Sequence, residues 1–345
     1  MNISINPRSM ITSPQLKNIS LLIMKKILRL FFLLFVVTVI CFILMKFAPI
    51  DPIEAYIGGE QASLPPEQIE HLREYWGHND GFTIRYVKWM RGMLSGDMGA
   101  SMIYNQPVKD VILEKFSASL LLMGSAWAIS GVLGFTLGII GALNKGKLID
   151  RIVKLYCLTL ASAPIFWIGI LLLTVFSVQL GWLPIGLSAP IHSTISDASW
   201  GDKIYHLILP TLTLSLTGVA SIALHTRQKF IDVLDSDYVL FAKARGESKL
   251  LILRRHGLKN IMLPAITLQF ASIAELFGGS TLAEGIFSYP GLGNAVVEAG
   301  IKADLPLLVG ITIFAAAFVF TGNLIANLLY ALIDPRIREG QENVY

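Results

Sequence analysis

Charge is scarce in this chain: Asp, Glu, Lys and Arg make up 15% of its 345 residues, against 54% hydrophobic residues. Soluble domains carry about a quarter charged residues. Together with a mean hydropathy of +0.62, this excludes a water-soluble fold. Cysteine is nearly absent too. Cys41 and Cys157 both lie inside apolar runs, and two thiols build neither a disulfide framework nor a four-ligand zinc site. The six histidines include no pair at metal-ligand spacing, and His71, His78, His192 and His206 have no cysteine support, so no resident metal is expected. A phosphate loop is missing by one residue. Gly141-Ala142-Leu143-Asn144-Lys145-Gly146-Lys147-Leu148 fits the pattern until its last position, which needs a hydroxyl for Mg²⁺, and it follows an apolar helical run where a strand is required. The chain is therefore expected to bind no nucleotide and no cofactor of its own. In a membrane chain the placement of the charges says more than their net of +4, and no nucleic-acid partner is expected.

What is present is a series of apolar runs. A bilayer core of about 30 Å needs about 20 apolar residues in a helix, because backbone N–H and C=O groups in lipid must pair within the segment. Six runs meet that demand, over residues 27–45, 116–143, 155–183, 204–224, 261–283 and 306–333. Pro164 is expected to kink the third, and Pro306 suits a first helical turn. A signal peptide competes for the first run, but no small-residue cleavage site follows Met45. An even number of spans puts both ends of the sequence on one side of the bilayer. If that side is inside, inner segments hold 19 of the 28 Lys and Arg residues, and most of the others fall in one long loop where the positive-inside rule acts weakly. The expected organisation is an N-terminal cytoplasmic tail over 1–23, a first span over 24–48, an extracytoplasmic cap over 49–115, a core over 116–333, and a cytoplasmic tail over 334–345.

Two regions outside the spans have readable structure. In the cap, residues 63–77 form a short amphipathic helix by their pattern, and a second near 84–94 presents Tyr86, Trp89, Met90 and Met93. These aromatic faces suit packing against each other or a docking surface. On the opposite side, residues 227–260 read as helix–glycine–helix: Asp235-Ser236 offers an N-cap, 237–245 a two-turn helix, Gly246 a stop, and 249–259 a basic helix running into the fifth span. Helices under about 12 residues are marginal in water, so the first must dock on something. Arg254, Arg255 and Lys259 suit lipid headgroups, whereas Val239, Leu240, Phe241 and Ala242 suit a partner protein.

The run Asp237-Tyr238-Val239-Leu240-Phe241-Ala242-Lys243-Ala244-Arg245-Gly246, continuing through Arg255-His256-Gly257 to Pro264, resembles the coupling motif of ABC importer permeases. Ser95-Gly96-Asp97-Met98-Gly99, Ser162-Ala163-Pro164-Ile165-Phe166-Trp167, Ile286-Phe287-Ser288-Tyr289-Pro290-Gly291-Leu292-Gly293 and Asp334-Pro335-Arg336-Ile337-Arg338 follow in family order. Together they are similar to the dipeptide, oligopeptide and nickel permease family, B-type subunit. The sequence departs from the general importer pattern at Leu240, where that pattern has a glutamate. The resemblance implies an all-α membrane protein with six transmembrane helices and the type I ABC importer permease fold. It further implies that the 237–245 helix inserts into an ATPase subunit, and that residues 237–246 with Arg255 and His256 form the coupling segment. The implied partners are a second homologous permease, two ATPases that bind ATP and Mg²⁺, and an extracytoplasmic substrate-binding protein.

Glu275 is the one carboxylate well inside an expected span, and an intramembrane charge is costly unless it serves a wet path or a partner. It reads either as a translocation-pathway residue or as a clamp on the neighbouring permease. Its surroundings, Ala274-Glu275-Leu276-Phe277-Gly278-Gly279, look more like nickel-type permeases, so the expected cargo is nickel or another metal chelate, with di- or oligopeptides as the alternative. Gly131, Gly134, Gly138 and Gly141 share one face of the second span and suit a packing seam. Asn323 and Asn327, one turn apart on the sixth, are expected to bond across helices. An ion-coupled secondary transporter would show inverted halves and several intramembrane charges, and an intramembrane enzyme a nucleophile–base pair or metal ligands. Neither pattern is visible.

Overall fold

The computed structural model describes residues 13–47, 81–189 and 199–333, with Pro65 and Glu67. Its helices are α1 (Ser13–Lys46), α2 (Phe82–Leu94), α3 (Val108–Leu143), α4 (Leu148–Ser162), α5 (Ile165–Gln179), α6 (Trp200–Leu234), α7 (Asp237–Ala244), α8 (Lys249–Ala271), α9 (Ile273–Ile286), α10 (Leu292–Ile301) and α11 (Leu305–Ile333). A two-stranded antiparallel hairpin, β1 (Ala100–Ser101) and β2 (Gln106–Pro107), precedes α3. Among the described residues, four helices are long and apolar enough to cross a membrane, and six spans result when each of two bent pairs is taken as one. The expected cap helix over 63–77 and the tail over 334–345 lie outside the described residues.

α3 and α6 are the backbone of the bundle. At 36 and 35 residues and 1.5 Å per residue they each reach over about 50 Å, well past a bilayer core. Glycines permit their close approach. A Cβ on Gly134 would lie 2.8 Å from the Ile222 side chain, and one on Gly138 2.7 Å from both the Ala223 carbonyl oxygen and Thr226. Gly131 faces Gln269 of α8 instead, and Gly141 faces Arg227 of α6. One end of α3 packs Val108, Val111 and Ile112 against Leu292, Ala295, Leu307 and Ile311 of α10 and α11. The other end packs Ala142 against Phe230, Ile231 and Ile261. These two ends, about 50 Å apart, are called here the hairpin end and the α7 end.

α1 stands at the edge of the bundle with Phe31, Phe32 and Phe35 exposed. It begins at Ser13, within the stretch 1–23 expected to be an N-terminal tail. Phe42 is its anchor, buried among Phe82, Tyr86 and Trp89 of α2 and Leu305 and Val309 of α11. The aromatic face of α2 therefore packs on two spans.

The third expected span is broken outright, with α4 and α5 meeting at 105°. Proline explains why a kink is insufficient. Pro164 has no N–H to give and its ring disfavours helical geometry at the preceding residue. Ala163 and Pro164 both adopt extended geometry, with ψ of 130° and 137°, and the helix restarts at Ile165. The elbow leaves a groove of about 620 Å³ lined by Leu158, Thr159, Phe166 and Trp167. The fifth span is also broken, by 50° between α8 and α9.

Candidate functional site

The α7 segment is assembled from very little. Val239 and Ala242 are buried against Ile252, Val233 and Leu234. Ser236 occupies the N-cap position with extended geometry, but its hydroxyl donates to the Val233 carbonyl rather than capping α7, so the expected cap is present in position only. Asp235 ends α6 instead and pairs with Lys145 at 2.8 Å. The hydrogen bond from Lys145 holds the Asp235 carboxyl below its ordinary pKa. At its far end α7 closes with a two-bond cap. Gly246 N–H donates to Lys243 O at 2.9 Å, and Glu247 N–H to Ala242 O at 3.1 Å. That geometry needs a left-handed residue, and Gly246 supplies it at φ +81°.

The other face of α7 is open: Leu240 is 51% and Phe241 66% exposed, and Tyr238 is exposed beside them. Burying one such side chain is worth about 1.5–3 kcal/mol, and an eight-residue helix cannot stand alone. Behind α7, Glu247 reaches Arg255 at 3.7 Å and His256 at 3.4 Å. Tyr238 sits over the His256 ring at 6.0 Å between centroids and accepts a hydrogen bond from Asn260 at 3.2 Å. Arg255 and His256 thus belong to the support of α7 and bind it to α8. Lys243 donates to Leu234 O at 2.9 Å.

Beneath this lies a buried lock that the sequence reading passed over. Arg227 of α6 grips Asp150 of α4 through both carboxylate oxygens, Nε–Oδ1 at 2.6 Å and Nη2–Oδ2 at 2.8 Å. Asp150 also accepts from Gly146 N–H at 2.9 Å. Gly146, at φ +79°, therefore serves a turn between two helices in the stretch that approximates a phosphate loop.

Glu275 falls in the first turn of α9, immediately after the break at Ser272. Its side chain is exposed. Asn323 and Asn327 are exposed as well, and Asn327 donates to Asn323 O at 2.7 Å within α11. The expected bond across helices is corrected accordingly, since an amide one turn along can satisfy itself on its own helix. The interhelical amide contact lies elsewhere: Trp127 Nε1 donates to Gln269 O at 2.8 Å, and Gln269 Nε2 to Trp127 O at 2.6 Å.

At the hairpin end two fully buried carboxylates organise the structure. Asp304 accepts from the Ser101 hydroxyl at 2.6 Å, Ile103 N–H at 3.1 Å and, through its other oxygen, Leu307 N–H at 3.1 Å. It caps α11 and ties down the hairpin. Glu284, at the end of α9, accepts from the Ser119 hydroxyl of α3 at 2.6 Å and from Asn294 N–H of α10 at 3.0 Å. Between them Tyr104 donates to Glu298 at 3.0 Å. Burial opposes charge on Glu298, yet the Lys302 and Tyr104 hydrogen bonds outweigh it and hold its pKa low. Glu284 was missed because it follows the expected end of its span. The signal was its place two residues before Ile286-Phe287-Ser288-Tyr289-Pro290-Gly291. His206 Nδ1 lies 2.7 Å from Gly186 O. No group of three His, Cys, Asp or Glu residues that could hold a metal ion occurs among the described residues.

Residues 134–339 match the family described as binding-protein-dependent transport system inner membrane component, and residues 19–123 match its N-terminal module. The oligopeptide transport system permease protein AppB of Bacillus subtilis (strain 168) is 34% identical over 87% of this chain and 94% of its own length. The glutathione transport system permease protein GsiC of Escherichia coli (strain K12) is 34% identical over 92% of this chain and 98% of its own length. Among solved structures, a chain of the MetNI methionine ABC transporter in inward facing conformations superposes with a TM-score of 0.53 at 12% identity, covering 65% of this chain and 96% of that one. At that identity the likeness concerns the fold alone.

Proposed function

Because the chain belongs to the family of binding-protein-dependent transport system inner membrane components, we propose that it forms half of a pore importing short peptides. It is a membrane-spanning permease subunit of an ABC importer and not an enzyme, and such a permease works with ATPase and substrate-binding subunits. Our reading of its assembly is a second permease of the same fold beside it, two ATPases on the α7 side, and a binding protein delivering cargo at the hairpin end. The distribution of Lys and Arg supports a cytoplasmic α7 end, with both ends of the sequence on that side.

One observation carries the mechanism: α7 buries Val239 and Ala242 beneath it and leaves Leu240 and Phe241 uncovered. A short apolar projection of this kind is stabilised by an apolar groove. An ATPase closing on nucleotide drags the projection, and α8, helical throughout with a π-helical turn at Leu253–Gly257, carries the displacement to the break at Ser272. Leu240, where the general importer pattern has a glutamate, makes this contact apolar rather than ionic.

The cargo reading moves away from the nickel chelate that the surroundings of Glu275 suggested. AppB and GsiC transport an oligopeptide and glutathione by their names, which supports the peptide alternative. Glu275 fits that cargo equally. A carboxylate exposed at a helix break in the bilayer attracts a cation, and a peptide carries one at its α-amino group.

The test is accumulation of a labelled tripeptide in vesicles holding the complete complex. Leu240→Ser with Phe241→Ser should abolish co-purification of the ATPases and lower uptake at least tenfold, with the two permeases still paired. Full uptake by that double variant, or nickel accumulation without peptide uptake, refutes the proposal.

A further inference from the structure

Glu284 is buried to 0% exposure, yet the coupling route described above ends short of it. Its oxygens are satisfied by groups from two other elements, Ser119 of α3 and Asn294 of α10. Ser119 completes a circuit, because its oxygen accepts from Leu292 N–H at 2.7 Å, the first residue of α10. The turn between α9 and α10 is built tightly around the carboxylate. A Cβ on Gly291 would stand 2.3 Å from Glu284 Cδ, and one on Gly293 would stand 2.5 Å from Thr281 Cα. The same turn is fastened from its other side, where Leu187 N–H donates to Phe287 O at 2.8 Å and Gly186 lies against that carbonyl.

α9 lies between this knot and the break at Ser272. Past the break, α8 stays helical back to Lys249 beside α7, through a π-helical turn at Leu253–Gly257. Whatever moves α8 must therefore bend the chain at Ser272 or move α9, and α9 cannot move alone while Glu284 holds its far end. We propose that Glu284 is a positioning residue for transport: by fastening α9 to α10 and α3, it makes the hairpin end of the pore follow the α7 end as one body. This rests on the permease reading above. A buried carboxylate suits the task because its two oxygens engage donors on separate elements at once, and an unmade bond there leaves a buried donor unpaired.

The experiment places spin labels at exposed positions of α3 (Leu113) and α10 (Val297) in the complete complex, and records their separation with and without trapped nucleotide. Uptake and ATP hydrolysis are measured on the same vesicles. In the parent protein the separation should be narrow and the same in both states. Glu284→Gln, which keeps the volume but replaces one of the two accepting oxygens by an NH2 group that cannot accept from Ser119 or Asn294, should broaden the distribution. It should also raise ATP hydrolysed per peptide imported at least tenfold. Ser119→Ala, which keeps the carboxylate, should do the same more weakly and serves if Glu284→Gln fails to assemble. A purely structural role would lower hydrolysis and uptake together, in proportion to the complex recovered, and that result overturns the proposal. So do unchanged distances in both variants. If the parent complex imports no peptide, the cargo reading falls while the distances still decide the role of Glu284.

Discussion

The two ends of the bundle are held by opposite means. At the hairpin end, Glu284 and Asp304 are fully buried and their oxygens are met by donors from distant elements, so helices, hairpin and turns are fastened to one another. At the α7 end the fastening stops one layer short. Asp150 and Arg227 secure α4 to α6, but beyond them α7 seats only Val239 and Ala242 on Ile252, Val233 and Leu234, and shows Leu240 and Phe241 to its surroundings. Behind it, Glu247 Oε2 and His256 Nε2 face each other at 3.4 Å. The apolar face left uncovered on α7 is where a partner adds most.

Four substitutions break or sharpen this contrast, in falling order of their effect on stability. Asp150→Ala leaves Arg227 buried and unpaired, which costs about 3–5 kcal/mol. Thermal unfolding in detergent should show it, and a cost under about 1 kcal/mol would mean that the α7 end lacks even its basal lock. Gly138→Ala drives a methyl into the Ala223 carbonyl and Thr226 and should cost about 1–3 kcal/mol. Gly278→Ala, with nothing within 4 Å of its Cβ, is the matched control. Val239→Ala removes part of the platform under α7 and should cost about 1–2 kcal/mol. Uptake should fall further than that loss explains, since α7 is then no longer presented. Lys145→Ala should have the smallest effect, because the pair with Asp235 is open to solvent. Its pH dependence has a definite sign. Lys145 lowers the folded-state pKa of Asp235, so the pair contributes above the ordinary carboxylate pKa and loses its contribution as pH falls through the lowered value. Unfolding curves of the variant and the parent should converge in acid.

The spans were legible because lipid imposes a length and a polarity that any sequence must obey. The helix–glycine–helix around Gly246 was legible for a local reason, since a left-handed residue after two turns of helix is a cap whatever surrounds it. The carboxylates were not. Glu284 and Asp304 lie at the margins of apolar runs, where a sequence reading expects solvent, and only the fold brings Ser119 and Ser101 to them across more than 160 residues. Asn323 and Asn327 failed in the reverse direction. They carry the composition of an interhelical contact, but the amide pair that makes one is that of Gln269 with the Trp127 backbone and indole. Pro164 implies a kink through its own ring, and a full break follows once its effect on Ala163 is added.

The elbow at Pro164 limits what each arm can do alone. Each arm, Leu148–Ser162 and Ile165–Gln179, has 15 residues and a length of about 22 Å, against about 30 Å of hydrocarbon. Neither arm alone is long enough to cross it. The first arm takes its cover from α6, which sets Ala220 and Ala223 against Val153 and Cys157, so a crossing built from two short pieces is only as firm as the long helix that seals it.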